Sequence, residues 1–295
     1  MRAYIHLSDT HFGSKGVDEV LPRLKELIEA QLATFKPDTK VSFIVTGDGV
    51  DSPTPSNGAQ FLAFSDYLAK KSGREPLVVL GNHDVNYRGL AFGDSNQTLA
   101  NYVGRYPRLK RVDDIGVIFI LFNSNVDGIF AQGKIGRQQM EAAAALLAKV
   151  KNLSDYTLIA VLHHHVAPVP QARAPLPSFW KKLAPRWLSA FLITAFVERT
   201  MRLTDAKAFV SFLKEHQVSF ILHGHKHVPF ITQHEGISVI ACGSSTRREA
   251  AGDSGLTCIS YNVLTFDESI LRCDQYAEYV LGAGVEGIGS ATFNL

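Results

Sequence analysis

The sequence predicts an α/β protein built of two packed sheets with helices on their outer faces. Three observations predict it. From Arg2 to Leu222, short apolar runs alternate with segments whose apolar residues recur at helical spacing. From Phe230 onward, strand-like runs follow one another with no helix between them. Hydrophobic residues make up 46% of the 295, enough for a sizeable core and one large domain, taken as residues 1–295.

The elements follow in order. Arg2 to Leu7 reads as a strand, and Leu21, Leu24, Leu27, Ile28 and Leu32 then share one helical face. Val41 to Thr46 reads as a buried strand, with Phe61, Phe64, Tyr67 and Leu68 marking the next helix. Leu77 to Leu80, Val117 to Phe122 and Thr157 to Leu162 are further strands, and the alanine-rich stretch Gln138 to Val150 between the last two is helical. A helix from Asp205 to about His216 leads into a strand at Val218 to Leu222. Phe230 to Thr232, Ile237 to Cys242, Leu256 to Phe266 and Ile270 to Tyr279 are strands, the first two joined by a hairpin turn at His234-Glu235-Gly236. Gly282 to Gly289, with four glycines, reads as an irregular surface segment.

Composition excludes several classes. A net charge of +2 gives no strong nucleic-acid signal. Cys242, Cys258 and Cys273 are odd in number and widely spaced, which argues against a disulfide framework and against a thiolate zinc knuckle. That fits a cytoplasmic protein. Met1 to Leu7 is too short for a signal peptide. The longest strongly apolar run, Leu188 to Val197, is about half of the roughly 20 residues a spanning helix needs.

In open α/β sheets, ligands bind beyond the carboxyl ends of strands. Five strand ends here carry similar chemistry: Ser8-Asp9-Thr10-His11, Gly47-Asp48-Gly49-Val50-Asp51, Gly81-Asn82-His83-Asp84, His163-His164-His165 and His223-Gly224-His225-Lys226-His227. Singly, each is a common turn or cap pattern. Together they point to one shared metal site. Carboxylate, carboxamide and imidazole without thiolate suit manganese, iron or zinc. Seven donors are too many for one tetrahedral ion. They suit two ions about 3.5–4 Å apart that share a carboxylate and a water, which is thereby acidified.

This set, from Asp9-Thr10-His11 to Gly224-His225-Lys226-His227, resembles the calcineurin-like metallophosphoesterase superfamily, over about Arg2 to His227. The resemblance implies a four-layer α-β-β-α sandwich of two mixed sheets with outer helices. It implies two divalent or trivalent metal ions (Mn, Fe or Zn), one held by Asp9, His11, Asp48 and His227 and the other by Asp48, Asn82, His163 and His225. Asp48 bridges them, and a hydroxide shared by both metals is the nucleophile. His83 stands near the leaving oxygen as general acid or charge stabiliser, and Asp84 orients His83. Gly224 lets the backbone turn between the histidines. Family members often carry His-His-Pro-Pro where this chain has His163-His164-His165-Val166, so His163 is taken as the ligand with His164 as the alternative. His223 is expected to be buried or to lie behind the ligands, and Asp51 to set its loop by hydrogen bonding. His6, His216 and His234 lie outside any motif and read as structural or surface residues.

Between His165 and Asp205 lies a helical, basic and aromatic insert at about 173–203, with Trp180 and Trp187. From Arg173 to Arg202 it carries a net charge of +5, leaving −3 for the remainder. Three readings compete: packing on its own domain or on a second subunit, a cap over the metals, and contact with a membrane surface. Asn86, Tyr87 and Arg88 follow the third strand end, and Arg247 and Arg248 follow Gly243-Ser244-Ser245. Among these, Asn86, Arg88 and Arg247 are candidate contacts for a small-molecule phosphoester. The expected activity is a phosphodiesterase, on a cyclic nucleotide or a related diester. The first alternative is a lipid-linked pyrophosphatase at the inner membrane face, followed by a phosphomonoesterase or nuclease. A scaffold that kept the fold and lost the metals should show gaps among the donors, and none is found in the seven positions or at His83.

Overall fold

In the computed structural model, the residues described are 1–85, 97–126, 131–167, 203–246, 259–279, 282 and 284–295. The insert at 173–203 is therefore outside them except for Leu203, as are Asn86, Tyr87, Arg88, Arg247, Arg248 and Cys258.

Twelve strands form two six-stranded sheets among the described residues. In the first, strands β1 (Arg2–Leu7), β2 (Lys40–Thr46) and β3 (Leu77–Val79) run parallel. The antiparallel strands β10 (Ile259–Asp267), β11 (Ile270–Glu278) and β12 (Glu286–Asn294) extend it, in the order β12-β11-β10-β1-β2-β3. The second sheet has the order β4-β5-β6-β7-β9-β8. Its strands β5 (Val117–Leu121), β6 (Thr157–Val161), β7 (Val218–His223) and β9 (Ile237–Ala241) are parallel. Its edges β4 (Arg108–Val112) and β8 (Phe230–His234) are antiparallel.

Burial on both faces explains the continuous apolar runs. On β1, Tyr4 points between the sheets while Ile5 and Leu7 face outward; on β2, Ile44 points in while Phe43 and Val45 face out. The inner layer unites Tyr4, Ile44 and Val79 with Phe119, Leu121, Val161, Leu222, Ile240 and Phe266. Helices α1 (Val17–Ala33) and α2 (Pro55–Ser72) cover the first sheet with Leu24, Ile28, Phe61 and Phe64. α2 starts where the Thr54 hydroxyl accepts the Asn57 N–H with Pro55 at the first helical position, and it ends at left-handed Gly73. Two short helices, α3 (Asn82–Val85) and α4 (Gln97–Val103), follow β3. Helices α5 (Arg137–Leu147) and α6 (Ala206–Glu215) cover the second sheet through Ala143, Leu147, Phe209 and Leu213. The result is the expected α-β-β-α sandwich.

Two elements differ from expectation. The glycine-rich tail is not irregular: Glu286–Asn294 pairs along β11 as an edge strand, held by backbone hydrogen bonds that need no apolar side chains. The edge strand β4, RLKRV, was not anticipated because its alternation is mostly charged. Residues Glu235 and Gly236, both with positive φ, make the expected hairpin between β8 and β9.

Candidate metal centre

Each of the five strand ends arrives at one rim. Asp9 and His11 follow β1, Asp48 follows β2, and Asn82 and His83 open α3 after β3. From the second sheet, His163 follows β6, and His225 and His227 follow β7. Backbone pairing continues past the strands: Asp9 N–H donates to Gly47 O at 3.0 Å and His11 N–H to Asp48 O at 2.9 Å. Asp9, His11, Asp48, His225 and His227 all have positive φ, between 43° and 76°. Left-handed backbone at non-glycine residues is costly, and it clusters where function fixes side-chain direction.

Two groups of donors result. Asp9, His11 and His227 form one, with His227 Nε2 at 3.2 Å from Asp9 Oδ1 and 3.1 Å from His11 Nε2. Asp48, His163 and His225 form the other. Here His163 Nε2 lies 3.3 Å from Asp48 Oδ2, 3.1 Å from His225 Nδ1 and 3.2 Å from Asn82 Oδ1. Asp48 Oδ2 is also 3.9 Å from His11 Nε2, so this carboxylate stands between the groups.

The separations of 3.1–3.3 Å fit shared metal ions; His11 stands farther from the carboxylates, 4.0 Å from Asp9 and 3.9 Å from Asp48. With metal–donor bonds of about 2.0–2.2 Å, neighbouring donors on a tetrahedron or octahedron sit about 3.0–3.5 Å apart. Charge points the same way. Burial would raise the Asp48 carboxyl, but the imidazoles of His163, His83 and His11 outweigh it and hold it well below the usual range. Burial would lower His163, yet Asp48, Asp9 and the Thr46 carbonyl lift it to about 9. The buried Asp48 carboxylate is thus balanced by positive charge from the imidazoles around it, a charge that a bound ion would also supply. Burial, with the neighbouring imidazoles, keeps His225 well below its ordinary value, as a neutral donor.

Tautomers are fixed from behind. A carbonyl only accepts, so the 2.7 Å contact from His163 Nδ1 to Thr46 O leaves Nε2 facing Asp48 as the donor atom. His163, not His164, joins the donor group; His164 Nδ1 instead meets the Ser124 hydroxyl at 2.7 Å. His164 lies beside His225, with ring centroids 4.5 Å apart, and His165 stacks on His225 at 5.8 Å. His223 is buried, with Nδ1 on the Gly224 carbonyl. His6 is buried too, between the Thr46 hydroxyl and Asn262.

His83 is placed as expected at the rim, half-buried, its ring 4.9 Å edge-on from that of His11 and its backbone N–H donating to Asp48 Oδ1 at 2.9 Å. Its orienting partner is different from the one anticipated. Nδ1 donates to the Asp51 carbonyl at 2.8 Å, while the Asp84 carboxylate accepts from Val50 N–H at 2.9 Å and Gly81 N–H at 2.8 Å. Asp84 therefore ties the second and third strand ends together. Burial and the Asp48 charge raise it to about 7 against those two N–H donors. The Asp51 backbone ties the loop to Phe12 and His83, while its carboxylate, expected to set the loop, gathers with His11 and His83 as a third candidate donor group.

Gly224 is a second correction. It is not among the positive-φ glycines; the left-handed turn is made by His225. A Cβ at Gly224 would lie 1.8 Å from Ser8 Oγ and 2.5 Å from Asp9 Oδ2, so the glycine serves close approach. Through that contact His225 N–H donates to Asp9 Oδ2 at 3.0 Å.

A two-sheet sandwich with carboxylate, amide and imidazole donors on five strand ends defines a metallophosphoesterase. The chain belongs to the calcineurin-like phosphoesterase family, which it matches over residues 3–229. Members are hydrolases of phosphate esters that use divalent metals. A probable cyclic nucleotide phosphodiesterase of Rhodococcus erythropolis is 26% identical over 248 residues, covering 82% of this chain and 70% of that protein. Another, of Xenorhabdus bovienii, is 24% identical over 264 residues, covering 87% of each chain. Among solved structures, GAP50, the anchor in the inner membrane complex of Plasmodium, shares the fold with a TM-score of 0.53 at 14% identity, over 99% of this chain and 88% of that one. Among the described residues, no helix is long and apolar enough to cross a membrane.

Proposed function

We propose that this chain is a two-metal phosphodiesterase acting on cyclic nucleotides or small diesters of that kind. The observation that carries the reading is Asp48, whose carboxylate lies 3.3 Å from His163 Nε2 in its own donor group and 3.9 Å from His11 Nε2 in the other. One ion would be held by Asp9, His11, Asp48 and His227, the other by Asp48, Asn82, His163 and His225. The donors are oxygen and nitrogen, which suits manganese, iron or zinc. When bound, such a pair supplies Lewis acidity toward the phosphoryl oxygens and a water acidic enough to attack near neutral pH.

The chain's own residues supply position and protons. Asp48 aligns both groups and, through His83 N–H, the helix that carries His83. The Asp51 carbonyl accepts a hydrogen bond from His83 Nδ1–H, so Nε2 is the atom that would hold or give a proton at the leaving oxygen. Asp84 acts at a distance, by fixing Gly81 and Val50. Arg88 and Arg247, close in sequence to Asp84 and Thr246, are proposed with Asn86 as substrate contacts. The choice of diester is supported by the names of the two bacterial relatives.

The test is hydrolysis of bis-p-nitrophenyl phosphate beside p-nitrophenyl phosphate, with protein stripped of metal and refilled with manganese. Turnover of the diester that chelation abolishes is the expected result. Turnover of the monoester alone would reassign the chain as a phosphatase. Failure to bind any metal would remove the two-metal reading altogether.

A further inference from the structure

Asp9 is held in a left-handed backbone conformation, φ 53°, in a segment that carries two donors. On one side the segment leans on the loop after β2. The other side meets residues 244–246, just beyond β9, and the match there is residue by residue. Three successive carbonyls accept three donors: Ser8 O takes Ser245 N–H at 2.9 Å, Asp9 O takes the Ser244 hydroxyl at 2.9 Å, and Thr10 O takes the Thr246 hydroxyl. Ser8 N–H returns a bond to Ser245 Oγ at 3.1 Å. The clasp is anchored behind, where Ser244 O accepts from Ser260 N–H at 3.0 Å and from the Ser260 hydroxyl at 3.1 Å, and Ser245 Oγ donates to Ser260 O at 3.0 Å. All of these residues are buried. In a dry site, losing one such bond strands a carbonyl, which drives the strained backbone to relax.

We propose that Ser244, Ser245 and Thr246 are positioning residues that hold Asp9 and His11 in place, and that they act on one metal position rather than both. This rests on the two-metal reading. Asp9 and His11 belong to the group completed by His227. The group of His163, Asn82 and His225 is set from Thr46 and from the β6 and β7 loops, and its tie to the clasped segment is the His225 backbone N–H on the Asp9 carboxylate. Asp48 is common to both and is fixed through His83 N–H. Removing a clasp hydroxyl therefore acts first on the position whose own ligands, Asp9 and His11, the clasp holds, and reaches the other only through the His225 N–H on Asp9; outer partners of metal ligands are worth about 10–100-fold in affinity.

The experiment is manganese titration by calorimetry of the metal-free full chain, wild type beside Ser244→Ala, Thr246→Val and the double variant. Unfolding midpoints are measured without metal. The wild type should bind two ions; a single event, or none, would sink the two-metal reading itself and leave the clasp without an object. Given two events, the variants should weaken one by about 10–100-fold and leave the other within about threefold. Thr246→Ser, which keeps the hydroxyl, should restore the lost event. Two unchanged events would overturn the proposal. So would equal weakening of both in step with a lower midpoint, the pattern of general destabilisation. If the double variant fails to fold, Thr246→Val against Thr246→Ser decides alone.

Discussion

Gly224→Ala should separate a metal centre set by close packing from one set by loop flexibility. Gly224 does not use the left-handed region, so its backbone accepts alanine. On an open site the change would stabilise by about 0.4–1 kcal/mol, through a less disordered unfolded chain. Here the sign should reverse. The added methyl would lie 2.5 Å from Asp9 Oδ2 and 2.8 Å from Ser8 Cβ. Rotating Ser8 relieves neither contact and breaks its 3.2 Å bond to Thr46 O. The loop must back away by about 1 Å, taking His225 and His227 with it. A displacement of that size near chemistry costs about 100-fold in rate, and overpacking costs about 1–3 kcal/mol of stability. Turnover of the diester with manganese and urea unfolding of the metal-free protein give the two numbers. Gly287→Ala is the control, because nothing lies within 4 Å of its Cβ. Gly224→Ala protein with turnover within threefold of wild type and undiminished stability would refute the reasoning.

Three further outcomes follow from the same geometry. Asp48→Asn should keep the fold but lower affinity for manganese by at least about 100-fold and abolish most turnover; normal turnover would end the shared-carboxylate account. His163→Ala should bind one ion per chain and His164→Ala two, as counted by elemental analysis, and the reverse stoichiometry would make His164 the ligand. His6 is buried and burial holds it at about 3, below its ordinary 6.5. The unfolded chain therefore takes up its proton first, so stability is complete above pH 6.5 and is lost as pH falls toward 3. Between pH 6.5 and 4.5 this amounts to roughly 2–3 kcal/mol. Replacing His6 by Gln should flatten that part of the urea-unfolding profile, and an unchanged slope would exclude His6 as its source.

The central strands and the convergence of the candidate donors were legible because both leave side-chain signatures. Strands buried on both faces must be apolar throughout, as in β5, VIFIL. Metal donors must be Asp, Asn or His, and five strand ends repeated them. What escaped is made by backbone atoms. The β12 edge is held through its ladder to β11. The partner of His83 is the Asp51 carbonyl, and any residue has a carbonyl, so the carboxylate of Asp84 was the more visible but wrong choice. Ser244-Ser245-Thr246 looked like a loop leading to Arg247; its hydroxyls gained meaning only once β9 was seen to deliver them beside Asp9.

The partition of donors between the sheets has a consequence for synthesis. Asp9, His11, Asp48 and Asn82 come from the first sheet, and His163, His225 and His227 from the second. A ribosome-bound chain that has emerged only as far as residue 200 exposes every carboxylate of the candidate site and two of its four imidazoles, His11 and His163; His225 and His227 have yet to emerge. On the proposed ligand set no early fragment could capture an ion in the mature geometry, so metal loading would wait until the two sheets have closed. An ion held by Asp9 and His227 would then link residues more than 200 positions apart and act as a rivet between the two halves of the sandwich.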